Sequence, residues 1–292
     1  MVIRKSIGER IFDASNYTLL ALLGLLSLLP ILHVVAGSFS SPNAIIHNHV
    51  FLWPVEPTME HVNTVAANAD FWRAVWMTVK VTAIGTLLNI LLTVMGSYPL
   101  SKANLRGRKG IMLFILVTMI FQAPIIPVFM LIKELHLLNT MWALIIPSAI
   151  SAFNMILCTT FFRGLPEELF EAAKIDGMND YRIVFQIALP LSKPIMMTLI
   201  LFYAVGHWNS YMGPLMYITD RSLQTLQLYI YYMMAGSMSD IGMSPISDVS
   251  LSLVPKALEM ATIVLATAPI VVLYPFFQKH FVKGAMIGSL KG

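Results

Sequence analysis

Phe161 to Pro194 reads FFRGLPEELFEAAKIDGMNDYRIVFQIALPLSKP, a charged segment set between two long runs that carry no Asp, Glu, Lys or Arg. Gly164-Leu165-Pro166 ends one helix and starts another, because proline is preorganised for the first helical position; Glu167 and Glu168 then complement the positive end of the new helix dipole. The short helix offers Leu169, Phe170 and Ala173 beside the small Ala172, and Asp176-Gly177 has the turn chemistry that stops it. Asn179 is placed to cap a second helix whose apolar Ile183, Val184 and Ile187 run to Leu189-Pro190. Helix, glycine turn and helix at a membrane surface make a rigid knob. Its alanines admit a close backbone, Phe170 and Leu169 are candidate anchors, and Glu171 and Asp176 are free to pair with basic groups. A helix lying flat on lipid is usually rich in Lys and Arg. Glu167 to Asp180 instead holds five acids and one lysine, so a protein partner is expected.

Outward from this segment the chain is apolar. Of its 292 residues 57% are hydrophobic and 12% charged, with a mean hydropathy of +0.74; a soluble domain carries about 25% charge. Six charge-free runs are long enough to cross a bilayer: Ser15–Gly37, Val81–Ser101, Ile111–Ile132, Leu137–Phe162, Ile195–Thr219 and Met260–Gln278. The basic residues between them divide unevenly. Fourteen fall on one side (Arg4, Lys5, Arg10, Lys102, Arg106, Arg108, Lys109, Arg163, Lys174, Arg182, Lys193, Lys279, Lys283, Lys291) and five on the other (Arg73, Lys80, Lys133, Arg221, Lys256). The richer side is expected to be cytoplasmic, and an even span count puts both termini there. The first run is too long for a signal peptide's apolar region and reads as a retained helix. The expectation is an all-α polytopic membrane protein. It divides into 1–70 (N-terminal segment, first span and outer loop), a core at 71–280 with the polar loop at 163–194, and a tail at 281–292. Cys158 is the sole cysteine, which excludes an intrachain disulfide and a cysteine-cluster metal site. His47, His49 and His61 in the first outer loop follow no defined ligand spacing, so no metal is expected.

Glu171-Ala172-Ala173, then Asp176-Gly177, then Phe185, Ile187, Leu189-Pro190 and Pro194, resemble the EAA loop of permease subunits of binding-protein-dependent ABC importers. Met178 stands where that family commonly has alanine. His207-Trp208-Asn209-Ser210-Tyr211 with Pro214-Leu215, Pro124 and Pro127 in the third run, and the tail QKHFVKGAMIGSLKG are similar to carbohydrate permeases of the MalG type. Within that branch the chain looks most like the YtcP and LplC group, associated with complex oligosaccharides, uronate-containing ones included. The resemblance spans Phe71 to Gly292 and implies the type I importer (MetI-like) fold in the bacterial cytoplasmic membrane. It also implies partners: a second homologous permease, a pair of ATPase subunits that bind ATP and Mg, and an extracytoplasmic solute-binding protein. Phe170, Glu171, Ala172, Ala173, Asp176, Gly177 and Met178 would then meet an ATPase subunit, and Gly288 and Lys291 of the tail would lie against it.

The chain has no G-x-x-x-x-G-K-[ST] run and so does not cradle ATP phosphates in the P-loop manner; energy must arrive from elsewhere. Nor does it have an H-E-x-x-H or G-x-S-x-G motif, or paired carboxylates deep in one run, and no enzymatic activity or nucleic-acid partner is expected of it. For a substrate path, Tyr203, Trp208, Asn209 and Tyr211 combine ring faces with hydrogen-bonding groups, which sugars need; packing between helices is the commoner use of such residues. Asn89, Gln122 and Asn154 sit within runs and should face protein or water rather than lipid. Lys80 is close enough to the outer interface to snorkel, the alternative being attraction of an acidic oligosaccharide. The rival to an importer subunit is a stand-alone secondary transporter or channel, which would usually need an intramembrane carboxylate; only Glu259 approaches one.

Overall fold

The computed structural model describes residues 6–121, 123–235 and 255–289. Among the described residues the structure is helical and contains no strand. In chain order the helices are α1 (Ile7–Ser38), α2 (Pro42–Ile46), α3 (Glu60–Ala67), α4 (Ala69–Ser101), α5 (Arg108–Ile120), α6 (Ile125–Glu134) and α7 (Trp142–Ile145), which continues into a 3-10 turn at Ile146–Ser148. Then follow α8 (Ala152–Arg163), α9 (Glu167–Ile175), α10 (Asp180–Ile183) with a π-helical stretch at Val184–Ala188, α11 (Leu189–Leu191), α12 (Lys193–Trp208), α13 (Met212–Tyr217), α14 (Leu226–Met234) and α15 (Pro255–Ser289). The chain divides into two compact units, Met1–Phe71 with Tyr232–Pro269, and Trp72–Tyr231 with Ile270–Gly292.

In the first unit α1 opens with a capping box: the Gly8 N–H donates to Ser6 Oγ (3.2 Å) and the Ser6 N–H to Glu9 Oε2 (2.8 Å). Leu20, Leu22, Leu23, Leu25 and Leu26 are all more than half exposed, so the middle of α1 presents apolar side chains around its circumference. Lipid is the solvent that suits such a surface. Its far end is buried at Ala36, Gly37 and Ser38, where a Cβ on Gly37 would lie 2.2 Å from Met260 Sδ. Glycine there lets α1 and α15 approach closely. The loop that follows folds back through Ser40, which accepts from the Val55 N–H (3.0 Å) and donates to the Ala36 carbonyl (2.7 Å). His61 is buried within this loop, while His47 and His49 are exposed and stack on each other.

The second unit is organised along α4. Thr78, Thr86, Asn89, Thr93 and Ser97 are buried and recur at helical spacing on one face of an otherwise apolar helix. Each of four of them holds another element. Thr78 Oγ1 accepts from the Leu226 N–H at the start of α14 (2.7 Å), Asn89 Nδ2 donates to the Ser148 carbonyl, Thr93 pairs with the Tyr203 hydroxyl (2.7 Å), and Ser97 donates to the Met155 carbonyl (3.0 Å). With its amide nitrogen committed to Ser148, Asn89 keeps Oδ1 as an acceptor, and His207 Nε2 sits 2.8 Å from it. A Cβ at Gly85 would fall 2.5 Å from that nitrogen, so the glycine one turn away makes room for the ring.

The third and fourth runs are not straight spans, and the chain turns sharply just before the fifth. Helices α5 and α6 are inclined at 111°, α7 with its 3-10 turn meets α8 at 53°, and α10–α11 meet α12 at 89°. Proline sits at each break (Pro124, Pro147, and Pro190 with Pro194) and withholds an N–H where the helix would have needed one. The fifth run, expected to continue to Thr219, leaves the helix at Asn209 and turns into α13. Among the described residues two helices, α1 and α4, are individually long and apolar enough to cross a membrane, and up to five spans result if each bent pair counts as one. The sixth run lies within α15.

Replacing Asn89 by Leu leaves the Ser148 carbonyl and the His207 ring without their partner at once. The expected cost is about 1–2 kcal/mol of unfolding free energy, read as a lower thermal midpoint of the protein in a mild detergent; Leu91, exposed on the opposite face, should tolerate Ala with little change.

Candidate functional site

The polar loop builds a rigid knob from backbone rules alone. The Gly164 N–H closes α8 on the Phe161 carbonyl (3.0 Å). Pro166 takes φ −58°, ψ 128°, so it stands one position before the helix rather than in its first turn, and Glu167 and Glu168 begin α9 at the positive end of the dipole with Lys174 at the other. At the C-terminus the Gly177 N–H donates to the Lys174 carbonyl and the Met178 N–H to the Ala173 carbonyl, both at 3.0 Å. This is a Schellman closure, and Gly177 supplies its left-handed residue at φ 76°. Asn179 then caps α10, its Oδ1 accepting from the Arg182 N–H at 2.9 Å.

The knob's two faces differ. Phe170 and Ala173 are buried against the core of their own unit, in a cluster with Tyr98, Phe162, Ile183 and Leu199, and Met178 packs on the same cluster. Phe170 therefore anchors α9 to this chain rather than projecting outward. The larger Met178 fills the hydrophobic position that commonly accompanies a Schellman end. Exposed on the outer face are Leu169, Glu171, Ala172, Ile175, Asp176 and Gly177. Ile175 is 87% exposed, a large apolar side chain with no neighbour to cover it.

One basic residue, not singled out in the sequence, links the knob to α4. Lys102, just past the end of α4, places Nζ 3.4 Å from the Phe170 ring centroid and 5.1 Å from that of Tyr98. The two rings meet edge to face at 6.0 Å, and Tyr98 meets Phe162 likewise at 6.3 Å. Burial pushes the Lys102 ammonium below its ordinary pKa, and nearby Lys174 pushes the same way, while Glu167 and Asp180 act against them. A lysine at the end of an apolar run is ordinarily a snorkelling charge; only the fold reveals that it lies on an aromatic ring.

The residues considered for a substrate path do not converge. Tyr203 and Asn154 are buried in the bundle, and the Tyr203 hydroxyl is held between Thr93 and the Ser151 N–H (3.3 Å). Trp208 is buried at the end of α12, whereas Asn209 and Tyr211 are exposed. Tyr211 stacks on Tyr231 at 6.2 Å and 24°, each ring a little over two-fifths exposed. Tyr231, in α14 between the fifth and sixth charge-free runs, carries no local sequence signal. Gly288 falls in α15, and Gln122 and Lys291 lie outside the described residues.

A bundle of bent helices tied to the polar face of one long apolar helix, with a stiff polar knob beside it, is the architecture expected of a membrane transport permease. Residues 84–286 match the binding-protein-dependent transport system inner membrane component family, and the chain belongs to it. It is 38% identical over 291 residues to the polygalacturonan/rhamnogalacturonan transport system permease protein YtcP of Bacillus subtilis (strain 168), covering 97% of this chain and 99% of that protein. Protein LplC of the same organism is also 38% identical, with 97% and 96% covered. Among solved structures, a bacterial ABC transporter involved in the import of the acidic polysaccharide alginate has a chain that superposes with a TM-score of 0.86 at 30% identity, over 96% of this chain and all of that one. A chain of a bacterial alginate ABC transporter in complex with an alginate pentasaccharide-bound periplasmic protein shares the fold at a TM-score of 0.58 and 13% identity. The fold is thus the MetI-like permease fold, and like its relatives the chain is a permease subunit rather than an enzyme.

Gly177→Val forces a branched side chain into the left-handed region. The expected result is an opening of the α9 end, with amide exchange at Met178 accelerated about tenfold, while Gly177→Asn, which tolerates that region, should stay near the parent rate.

Proposed function

We propose that this chain is one permease half of an ATP-driven importer that carries oligosaccharides, uronate-containing fragments included, from a solute-binding protein into the cytoplasm. Six spans with both termini cytoplasmic, a distinct second permease and two ATPase subunits complete the assembly. The ATP and Mg belong to those ATPase subunits. The observation that carries the reading is the outer face of α9: Glu171, Ala172 and Ile175 stand exposed on a helix closed at its C-terminus and anchored by Phe170, and the small alanine beside a bare isoleucine suits insertion into a groove on another protein.

In this reading Glu171 pairs with a basic residue lining the ATPase groove, and closing of the ATPase pair displaces α9. Because Phe170 is packed on Tyr98 and under Lys102, the displacement passes to α4 and from there to the elements α4 holds. The permease has two states, and nucleotide biases the choice between them. Gly288 and Lys291 of the tail are assigned to the same ATPase contact.

Support for the sugar comes from two relatives whose names or titles specify acidic polymers, polygalacturonan/rhamnogalacturonan and alginate. In this chain the exposed Tyr211–Tyr231 stack offers ring faces to a sugar, with Asn209 close by in sequence. Tyr203, Trp208 and Asn154, being buried, act by shaping the path from behind. A stand-alone transporter is not favoured by any feature of this fold.

The test is transport by the complete complex in vesicles, with labelled oligogalacturonate as probe. Glu171→Lys is expected to lower ATP-dependent uptake and binding-protein-stimulated ATP hydrolysis together by at least about tenfold, with normal insertion of the chain. Uptake that continues in vesicles without ATP contradicts the proposal, as does full stimulation in the variant.

A further inference from the structure

At the foot of α4 a cleft of about 510 Å³ opens between the last turns of that helix, the loop after it and the start of α10. Its chemistry is split. Met95, Pro99, Val184 and Phe185 supply an apolar floor, of which Met95 is 43% and Phe185 49% exposed. Lys102, Arg106 and Lys174 supply a basic rim, against which Asp180 is the one acid. None of these four charged groups is in an ion pair among the described residues. Three cations around one cleft repel one another unless an anion joins them, and the position at the end of an apolar helix is the level at which phospholipid head groups lie.

We propose that this cleft seats one anionic phospholipid, its phosphate held by Lys102, Arg106 and Lys174 and its upper acyl chain laid over Met95 and Phe185. A soluble phosphate would use the rim and leave the floor bare. An acidic peptide would have no need of a half-exposed apolar group contributed by the membrane helix itself, as Met95 is. Only a ligand that is anionic at one end and hydrocarbon at the other covers both. The lipid would touch α4 and the end of α9 together, because Lys174 belongs to the helix that Lys102 grips.

The seat requires a membrane and not a transport cycle, so it is tested without ATP or sugar. The assembled complex is taken from bilayers of equal phosphatidylglycerol and phosphatidylcholine, and the lipids retained are counted by native mass spectrometry. Preferential retention of phosphatidylglycerol is expected, reduced about fivefold in Arg106→Gln and by a similar factor in Lys174→Gln, which serves if the first variant fails to assemble. Equal retention by wild type and both variants overturns the proposal. Displacement of the lipid by millimolar inorganic phosphate also overturns it in favour of a free-anion site, and crosslinks from the cleft that find only an acidic segment of another subunit overturn it in favour of a protein contact.

Discussion

A helix bent inside a bilayer exposes carbonyl and amide groups that no water will reach, and the fold stands on how those groups are met. Where α7 gives way to α8, the Ser148 carbonyl takes the Asn89 amide and the Ser151 N–H takes the Tyr203 hydroxyl. An unsatisfied backbone group in hydrocarbon costs several kcal/mol. The polar face of α4 therefore supports the break beside Pro147. Because the same face also holds Tyr203, His207, Met155 and Leu226, helices α8, α12 and α14 are referenced to this one helix.

That helix also ends at the knob. Tyr98, in the last turn of α4, packs on Phe162 and Phe170, and Lys102 closes over both Tyr98 and Phe170. The helix that would meet an ATPase and the helix that organises the bundle share one aromatic cluster with a cation on it. In the proposed cycle α9 does not need a long lever; its inner face is already part of the core it has to move.

Much of this was legible in the sequence, and the boundary has a physical cause. Gly177 and Asn179 announced themselves because turn and cap chemistry is local: a positive φ and a short side-chain acceptor depend on neighbours a few residues away. The apolar runs at Ser15–Gly37 and Val81–Ser101 likewise fall in α1 and α4, the two described helices individually long and apolar enough to cross a membrane. What was hidden depends on partners distant in sequence. Nothing in the segment around Phe170 says that its ring turns inward, under a lysine that follows a different span. Tyr203 could be read as a sugar-facing ring or as packing between helices, and which of these holds depends on Thr93 and Ser151, far away in sequence, whose groups occupy its hydroxyl; Tyr231, in α14, pairs with Tyr211 twenty residues away. Charge-free runs also conceal bends, since a proline within one does not reveal whether the chain kinks slightly or turns by 111° as between α5 and α6.

The central claim is that the exposed face of α9 lies in a groove of an ATP-hydrolysing subunit. Cys158 is buried and the only cysteine in the chain, so Cys158→Ser gives a background for a single introduced thiol. With Ala172→Cys in that background, a short thiol-reactive photocrosslinker in the assembled, membrane-embedded complex should capture an ATPase subunit, with a yield that changes on ATP binding. Capture of lipid alone, in both nucleotide states, would contradict the account.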